Sequence, residues 1–369
     1  MRLIITGGGT GGHLFPALAV AEGIGKRDPG SEILFVGAGR RIDNQVLAEK
    51  GFARKVIKFS GIKGLGMSGF LHAASRLPLA IAQSFFLIRR FRPDLVFGVG
   101  GYVTGPVLAA AKLLRVPICI HEQNSVPGLA NRLAGKLADR ICISLPCQPS
   151  FAKEKTVVTG NPVRREIIAA ASKKKTGHND PATILVLGGS QGARRVNELV
   201  LAAMKILQEE GSALRIIHQT GTTDEALIRK GYEERGIEAE VASFFSDMAD
   251  VYGRADLVVS RAGATTLAEL AVMGMPALLI PYPFAADDHQ TTNGEYYVNG
   301  GGALMVQEKK LDGDGLAEEI RQLADNPEKL GKMAAAMGKM GRPEATDRIV
   351  DVCMQLVNHR STGRRQDRL

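Results

Sequence analysis

Residues suited to holding anions and moving protons cluster at a few short stretches of this chain of 369 residues. The first is GGGTGGHLFPALAVAEGI, Gly7 to Ile24, which sets five glycines and His13 at the mouth of a helix-like segment. Leu3, Ile4 and Ile5 before it read as a short buried strand. Leu14, Ala17, Leu18 and Ala21 after it form an apolar stripe at helical spacing, with Pro16 expected to set a first-turn dihedral. Strand, glycine turn and helix let backbone N–H groups close around a phosphate at the positive end of the helix. The same glycines also suit a tight turn with close strand–helix packing. Further along, CIHEQNS ends a strand with Glu122, a carboxyl that burial would tune toward base chemistry. In SRAGATTLAEL, Thr265 and Thr266 open a second helix after Gly263 and Ala264, although Thr266-x-x-Glu269 is also a capping box. DDHQTTN places Asp287 and Asp288 beside His289, as a divalent-ion site would.

Alternating β-branched runs and helix-like segments must position these groups, a pattern of α/β layering on parallel sheets. The plan is written twice. TILVLGGSQGARRVNELVLAAM, Thr183 to Met204, repeats the strand, glycine turn and helix of the amino terminus. RPDLVFGVGGYVTGP, from Arg92, parallels RADLVVSRAGATTL, from Arg254. Two Rossmann-like domains with mainly parallel sheets facing across a cleft are expected, their boundary falling between Thr159 and Pro181. Gly7, Gly9 and Gly12 also satisfy GxGxxG, but a nicotinamide site wants an acid at the end of the second strand. That strand, EILFVG, is followed instead by Arg40 and Arg41, and the cofactor reading leaves the second copy of the loop unexplained.

Composition narrows the partners. Hydrophobic residues make up 45%, as in ordinary folded proteins, and the four cysteines show no CxxC spacing. They read as reduced thiols. The opening MRLIITGGG is too short an apolar run for a leader, and no stretch reaches the roughly 18 apolar residues of a spanning helix. The net charge of +9 is uneven: Gly51 to Pro93 holds no Asp or Glu, yet carries eight Lys and Arg. Such a run suits nucleic acid, acidic lipid or a phosphorylated substrate. No nucleic-acid motif accompanies it, and aromatics are only 5%. Within the run, Leu77, Ile81, Phe85 and Ile88 share one helical face, widened by Leu79 and Phe86 and flanked by Arg76, Arg89, Arg90 and Arg92. This is either a buried core helix or a face for an anionic membrane; the missing acids favour the membrane.

Taken in order, GGTGGH, GVGGYVTGP, HEQN, GNPVR, GGSQGAR, RAGATTLAEL and DDHQTTN resemble the family 28 peptidoglycan glycosyltransferases, which make lipid II in bacteria. The resemblance runs from Met1 to about Asp347. It implies a GT-B fold, with residues 1–160 as an acceptor and membrane-docking domain to which 343–369 return, and 161–342 as the donor domain. It implies UDP-N-acetylglucosamine as donor and undecaprenyl-pyrophosphoryl-N-acetylmuramyl-pentapeptide (lipid I) as acceptor. The acceptor's 4-hydroxyl would displace UDP with inversion, and neither cofactor nor metal is called for.

On that pattern Ala264, Thr265 and Thr266 face the leaving diphosphate with Arg164 and Ser190. Glu269 takes the ribose hydroxyls, Phe244 and Phe245 enclose the uracil (two adjacent phenylalanines are more often core), and His289 and Gln290 meet the donor sugar, with Asn293 shaping the helix start. Thr10, Gly11, Gly12 and Asn124 also lie toward the sugar, while Gly9, Gly100, Gly101 and Tyr102 cradle the lipid pyrophosphate. A base must take the hydroxyl proton. His13 suits neutral pH, and Glu122 is its rival. The implied setting is the cytoplasmic face of the bacterial inner membrane, with its anionic leaflet and other cell-wall synthesis or division proteins as partners, and no nucleic acid. Asp43 and Asn44 depart from the family, where Glu is common. A UDP-sugar epimerase of similar fold and a non-catalytic lipid-docking protein are the alternatives.

Overall fold

The computed structural model describes residues 1–8, 11–59, 67–173, 181–188 and 192–366. It divides into two compact units, Met1–Val163 with Glu344–Leu369, and Arg164–Pro343. The first holds strands β1 (Arg2–Thr6), β2 (Glu32–Gly37), β3 (Ala53–Val56), β4 (Leu95–Gly98), β5 (Ile118–Glu122), β6 (Arg140–Ile143) and β7 (Thr156–Val158). They pair in the order β3-β2-β1-β4-β5-β6-β7, all parallel. The second holds β8 (Ala182–Leu187), β9 (Leu214–Gln219), β10 (Ala239–Ala242), β11 (Leu257–Ser260), β12 (Ala277–Leu279) and β13 (Ala303–Met305). Their order is β10-β9-β8-β11-β12-β13, again parallel. The repeated strand, turn and helix is thus one sheet plan used in both units.

Near-continuous apolar strands are what a sheet covered on both faces demands. In β1, Leu3 and Ile5 join a core with the helix Gly11–Arg27 and the carboxyl-terminal helix Ala345–Gln366. Ile4, between them, joins the opposite core under the helices Met67–Phe91 and Thr104–Leu113. Successive side chains therefore serve opposite layers. The carboxyl-terminal helix reaches the first unit through Ile349, Val350 and Cys353, and Arg27 pairs with Asp351 at 2.7 Å. Cys119, Cys142 and Cys353 are all buried there, with the Cys119 and Cys142 sulfurs 3.8 Å apart.

Two expectations are corrected. The helix Gly11–Arg27 starts early enough that Pro16 is internal rather than in the first turn, where it removes the bond that would close on the Gly12 carbonyl. The stripe Leu77, Ile81, Phe85 and Ile88 does not form the outer face of its helix. Ile88 is 1% exposed, and Ile81 and Phe85 pack against the core beside it. Full burial of such a side chain contributes about 1.5–3 kcal/mol, which fixes that face inward. Leu79 and Phe86 are instead the exposed apolar residues, at 60% and 69%, with Arg76, Arg89 and Arg90 also exposed. No described helix is long and apolar enough to cross a membrane.

Two histidines are sealed inside strands. Burial lowers His121 to about 4 and His218 to about 3, so both are neutral in the folded chain. Unfolding lets each regain an ordinary value near 6.5, and the unfolded chain then binds protons that the folded chain refuses. Stability therefore falls as pH drops from about 6.5 toward 4. The thermal midpoint is expected to decline over that window, and the decline should be shallower in His218→Gln; a midpoint flat from pH 7 to 5 would contradict it.

Candidate active site

In the first sheet the strand order reverses between β1 and β4, and a ligand of an open parallel sheet belongs beyond that pair's carboxyl ends. The glycine loops after β1 and β4 interlock there. Gly7 has φ +138°, and a Cβ on it would run into Val99 Cγ2 and the Gly100 carbonyl oxygen. Gly100 has φ +101°, and a Cβ there would lie 3.0 Å from His13 Nε2 and 3.4 Å from Asn131 Nδ2. Close loop packing, one of the two readings of these glycines, is thus realised, and it carries His13 to the second loop. Gly11 and Gly12 open the helix that holds His13, Gly101 is half-buried and Tyr102 is 48% exposed beside them. Gly9 and Thr10 lie outside the described residues.

Glu122 is 1% exposed, and burial pushes its carboxyl up. Its oxygens accept four hydrogen bonds: from Asn124 N at 2.9 Å, Asn124 Nδ2 at 3.2 Å, Gly128 N at 3.3 Å and Asn131 Nδ2 at 2.9 Å. A carboxylate has about four acceptor positions, so this one is spent on organising the loop that carries Asn124. A shallow recess opens nearby between the ends of β1 and β2, lined by Gly7, Gly8, Gly37, Asp43, Asn44 and Arg54.

The second sheet reverses between β8 and β11. Ser190, after β8, lies outside the described residues. After β11 the helix Ala264–Met273 begins, with Gly263 at its N-cap and no side-chain cap. Ala264, Thr265 and Thr266 form its first turn, all half-buried. Thr266 is therefore inside the helix, and Glu269 makes no capping box. Instead its Oε1 accepts Arg164 Nε at 3.0 Å, while Oε2 accepts an Arg164 terminal nitrogen at 3.3 Å and the Tyr252 hydroxyl at 3.0 Å. Burial raises Glu269 while Arg164 and Tyr252 oppose the rise. Burial opposes the charge on Arg164, yet Glu269 outweighs it and holds the guanidinium above its usual value.

The other residues expected to serve the donor also belong to the second unit. Phe244 is 52% exposed, so it is not core, and Phe245 N donates to Gln219 Oε1 at 3.1 Å. Asp287 and Asp288 are left-handed, φ 55° and 49°, just before the helix His289–Asn299. His289 Nδ1 lies 2.7 Å from the Ala286 carbonyl, and Gln290 Oε1 accepts Tyr282 N at 2.9 Å, fixing ring and amide. Asn293 lies in the second turn rather than at the helix start, and its amide donates to the Ala262 carbonyl at 3.4 Å, joining this helix to the loop after β11. No group of three or more His, Cys, Asp or Glu among the described residues gathers to hold a metal ion. Sequence reasoning missed Tyr252 and Gln219, which look like ordinary helix and strand residues. It also missed Arg261, which donates to the Ile280 and Pro281 carbonyls at 3.1 and 3.0 Å and pairs with Glu308.

Two parallel-sheet units, each with glycine turns and a helix N-terminus at its switch point, form a GT-B fold. The chain belongs to glycosyltransferase family 28: residues 3–143 match the family's N-terminal domain and 183–349 its C-terminal domain. It is 50% identical, over 97% of both chains, to the UDP-N-acetylglucosamine–N-acetylmuramyl-(pentapeptide) pyrophosphoryl-undecaprenol N-acetylglucosamine transferase of Desulfotalea psychrophila. The crystal structure of Acinetobacter baumannii MurG matches at TM-score 0.80 and 30% identity, covering 96% of this chain and 99% of that one. The UDP-GlcNAc 2-epimerase of Neisseria meningitidis, bound to UDP-GlcNAc, matches at TM-score 0.68 and 15% identity over 96% of this chain and all of that one, a likeness of fold alone.

The interlocked loops give a direct test. Gly7→Ala meets both a steric clash and a left-handed backbone, each costing on the order of 1–3 kcal/mol. A fall of several degrees in the thermal midpoint is expected by calorimetry, whereas an unchanged midpoint would show that the loops are not in contact.

Proposed function

We propose that this chain transfers N-acetylglucosamine from UDP-N-acetylglucosamine to the 4-hydroxyl of the muramyl sugar in pentapeptide-bearing pyrophosphoryl-undecaprenol, releasing UDP and inverting the anomeric centre. The observation that carries the reading is end-to-end similarity, at 50% identity, to a relative named for that reaction. The donor belongs at the second sheet's switch point. There the first turn of Ala264–Met273 aims about half a positive charge at the diphosphate, worth up to ~2 kcal/mol when partly buried. Arg164 adds charge-assisted hydrogen bonds, and Glu269 accepts from the ribose. Phe244 and Phe245 hold the uracil, while His289 and Gln290 orient the sugar. As UDP leaves, negative charge grows on the β-phosphate, where those N–H groups act without reorganising.

The acceptor belongs to the first unit. Gly100, Gly101 and Tyr102 stand at its pyrophosphate, and His13 takes the proton from the attacking hydroxyl. Asn124, held by Glu122, orients a sugar hydroxyl. The lipid tail keeps the acceptor in a bilayer, so the enzyme works at the cytoplasmic membrane surface. Exposed Leu79 and Phe86, with Arg76, Arg89 and Arg90 around them, suit an anionic leaflet at about 1 kcal/mol per arginine near the surface. Other proteins of cell-wall synthesis and division are its natural neighbours there.

Label transfer from UDP-N-acetylglucosamine to a lipid I analogue tests the reading: transfer should require acceptor and survive a chelator. Sugar isomerisation without acceptor would point to an epimerase. His13→Ala should lower kcat by at least about a hundredfold, the usual contribution of a general base, and unchanged turnover would remove the assignment. Replacing Leu79 and Phe86 together by serine should reduce sedimentation with anionic vesicles several-fold, with activity on a water-soluble acceptor kept; retained vesicle binding would place the docking face elsewhere.

A further inference from the structure

Tyr252 sits on the short helix Met248–Arg254, 1% exposed, and gives its hydroxyl to Glu269 across 3.0 Å. We infer that Tyr252 is a positioning residue for nucleotide recognition, the rigid reference that aims the Glu269 carboxylate at the ribose. This rests on the donor reading above.

The argument is geometric. A glutamate's terminal torsion is broad and nearly two-fold, so an untethered carboxylate samples many planes. Arg164 grips both oxygens of Glu269, but it does so from the end of a long side chain with several rotatable bonds. Tyr252 differs. Its ring is among the largest fully buried side chains in the chain, and a ring so enclosed cannot swing. Three donors, one of them on a ring held by its packing, then occupy three of the carboxylate's roughly four acceptor positions. The direction of what remains is set before a nucleotide arrives, and binding spends less on ordering it.

The same bond helps keep Glu269 charged. The charged or titratable groups facing it are Arg164, Tyr252 and Glu166: burial raises its carboxyl, Arg164 and Tyr252 oppose the rise, and Glu166 adds to it. Burial and the neighbouring carboxylate push the Tyr252 hydroxyl far up, so it stays a donor throughout the working range. Removing that donor raises Glu269 further, and ribose hydroxyls then meet a carboxyl that protonates at higher pH and accepts less well.

Titration calorimetry on the full chain, with UDP and 2′,3′-dideoxy-UDP as probes, decides the matter. Tyr252→Phe should weaken UDP by about tenfold, the worth of one hydrogen bond to a charged group. It should weaken the dideoxy nucleotide much less, because no ribose hydroxyl is there to lose. The acid-side fall in UDP affinity should also move to higher pH. Equal loss for both nucleotides would mean that Tyr252 only supports the fold, and no loss for either would mean that Glu269 is held without it; both outcomes overturn the inference. If wild-type chain failed to distinguish the two nucleotides, the ribose reading itself would fall instead. Should Tyr252→Phe not fold, 3-fluorotyrosine at position 252 keeps the shape with a stronger donor. It should shift the acid-side fall to lower pH, and an unmoved profile would equally overturn the inference.

Discussion

A parallel sheet releases all its chains along one edge, and in both units that edge must end in backbone rather than side chains. Where the strand order reverses, two neighbouring loops leave in opposite directions and need room to approach each other. In the first unit they pass so closely that Gly7 and Gly100 occupy positive-φ positions, Gly7 with no space for a Cβ and Gly100 with a tight one. A glycine turn leading into a helix N-terminus is the general setting in which backbone N–H groups meet phosphate. The second unit repeats the arrangement after β11, where Gly263 leads into the uncapped helix Ala264–Met273.

Two buried carboxylates show how surroundings divide labour between similar groups. Glu122 and Glu269 are both almost inaccessible, and burial raises both. Glu122 is balanced by neutral amides from the loop after β5 and from Asn131 on the helix Leu129–Leu137, at roughly 1 kcal/mol per bond, and two of these bonds order Asn124. Glu269 is balanced by the guanidinium of Arg164, just before the helix Arg165–Ala171, and by the phenol of Tyr252 on the helix Met248–Arg254. The first carboxylate is held by residues close to it in the chain, the second by residues far from it.

Most of the strands, the doubled plan and the loop positions were legible, because period, glycine turns and repeated motifs are local signals. Partners distant in sequence were not. Arg164 and Glu269 are 105 residues apart, and nothing in GNPVR or TTLAEL says that they meet. Tyr252 announces nothing at all. The helix Met67–Phe91 failed for a different reason: spacing identifies an apolar face but not what covers it, and the core took Ile88 while Leu79 and Phe86 were left outside. The capping-box reading of Thr266 and Glu269 failed because the helix begins at Ala264, so a local pattern yielded to a long-range ion pair.

The distribution of sulfur has its own consequence. All four cysteines, Cys119, Cys142, Cys147 and Cys353, belong to the first unit and are buried, and Arg164–Pro343 contains none. Burial pushes Cys147 up to about 12, while hydrogen bonds among the clustered thiols, together with burial, hold Cys119 and Cys142 above the ordinary thiol range. Since the thiolate is the reactive form, an alkylating reagent finds no target until that lobe breathes open. The chain thus carries a built-in clock for the loosening of one half, silent about the other.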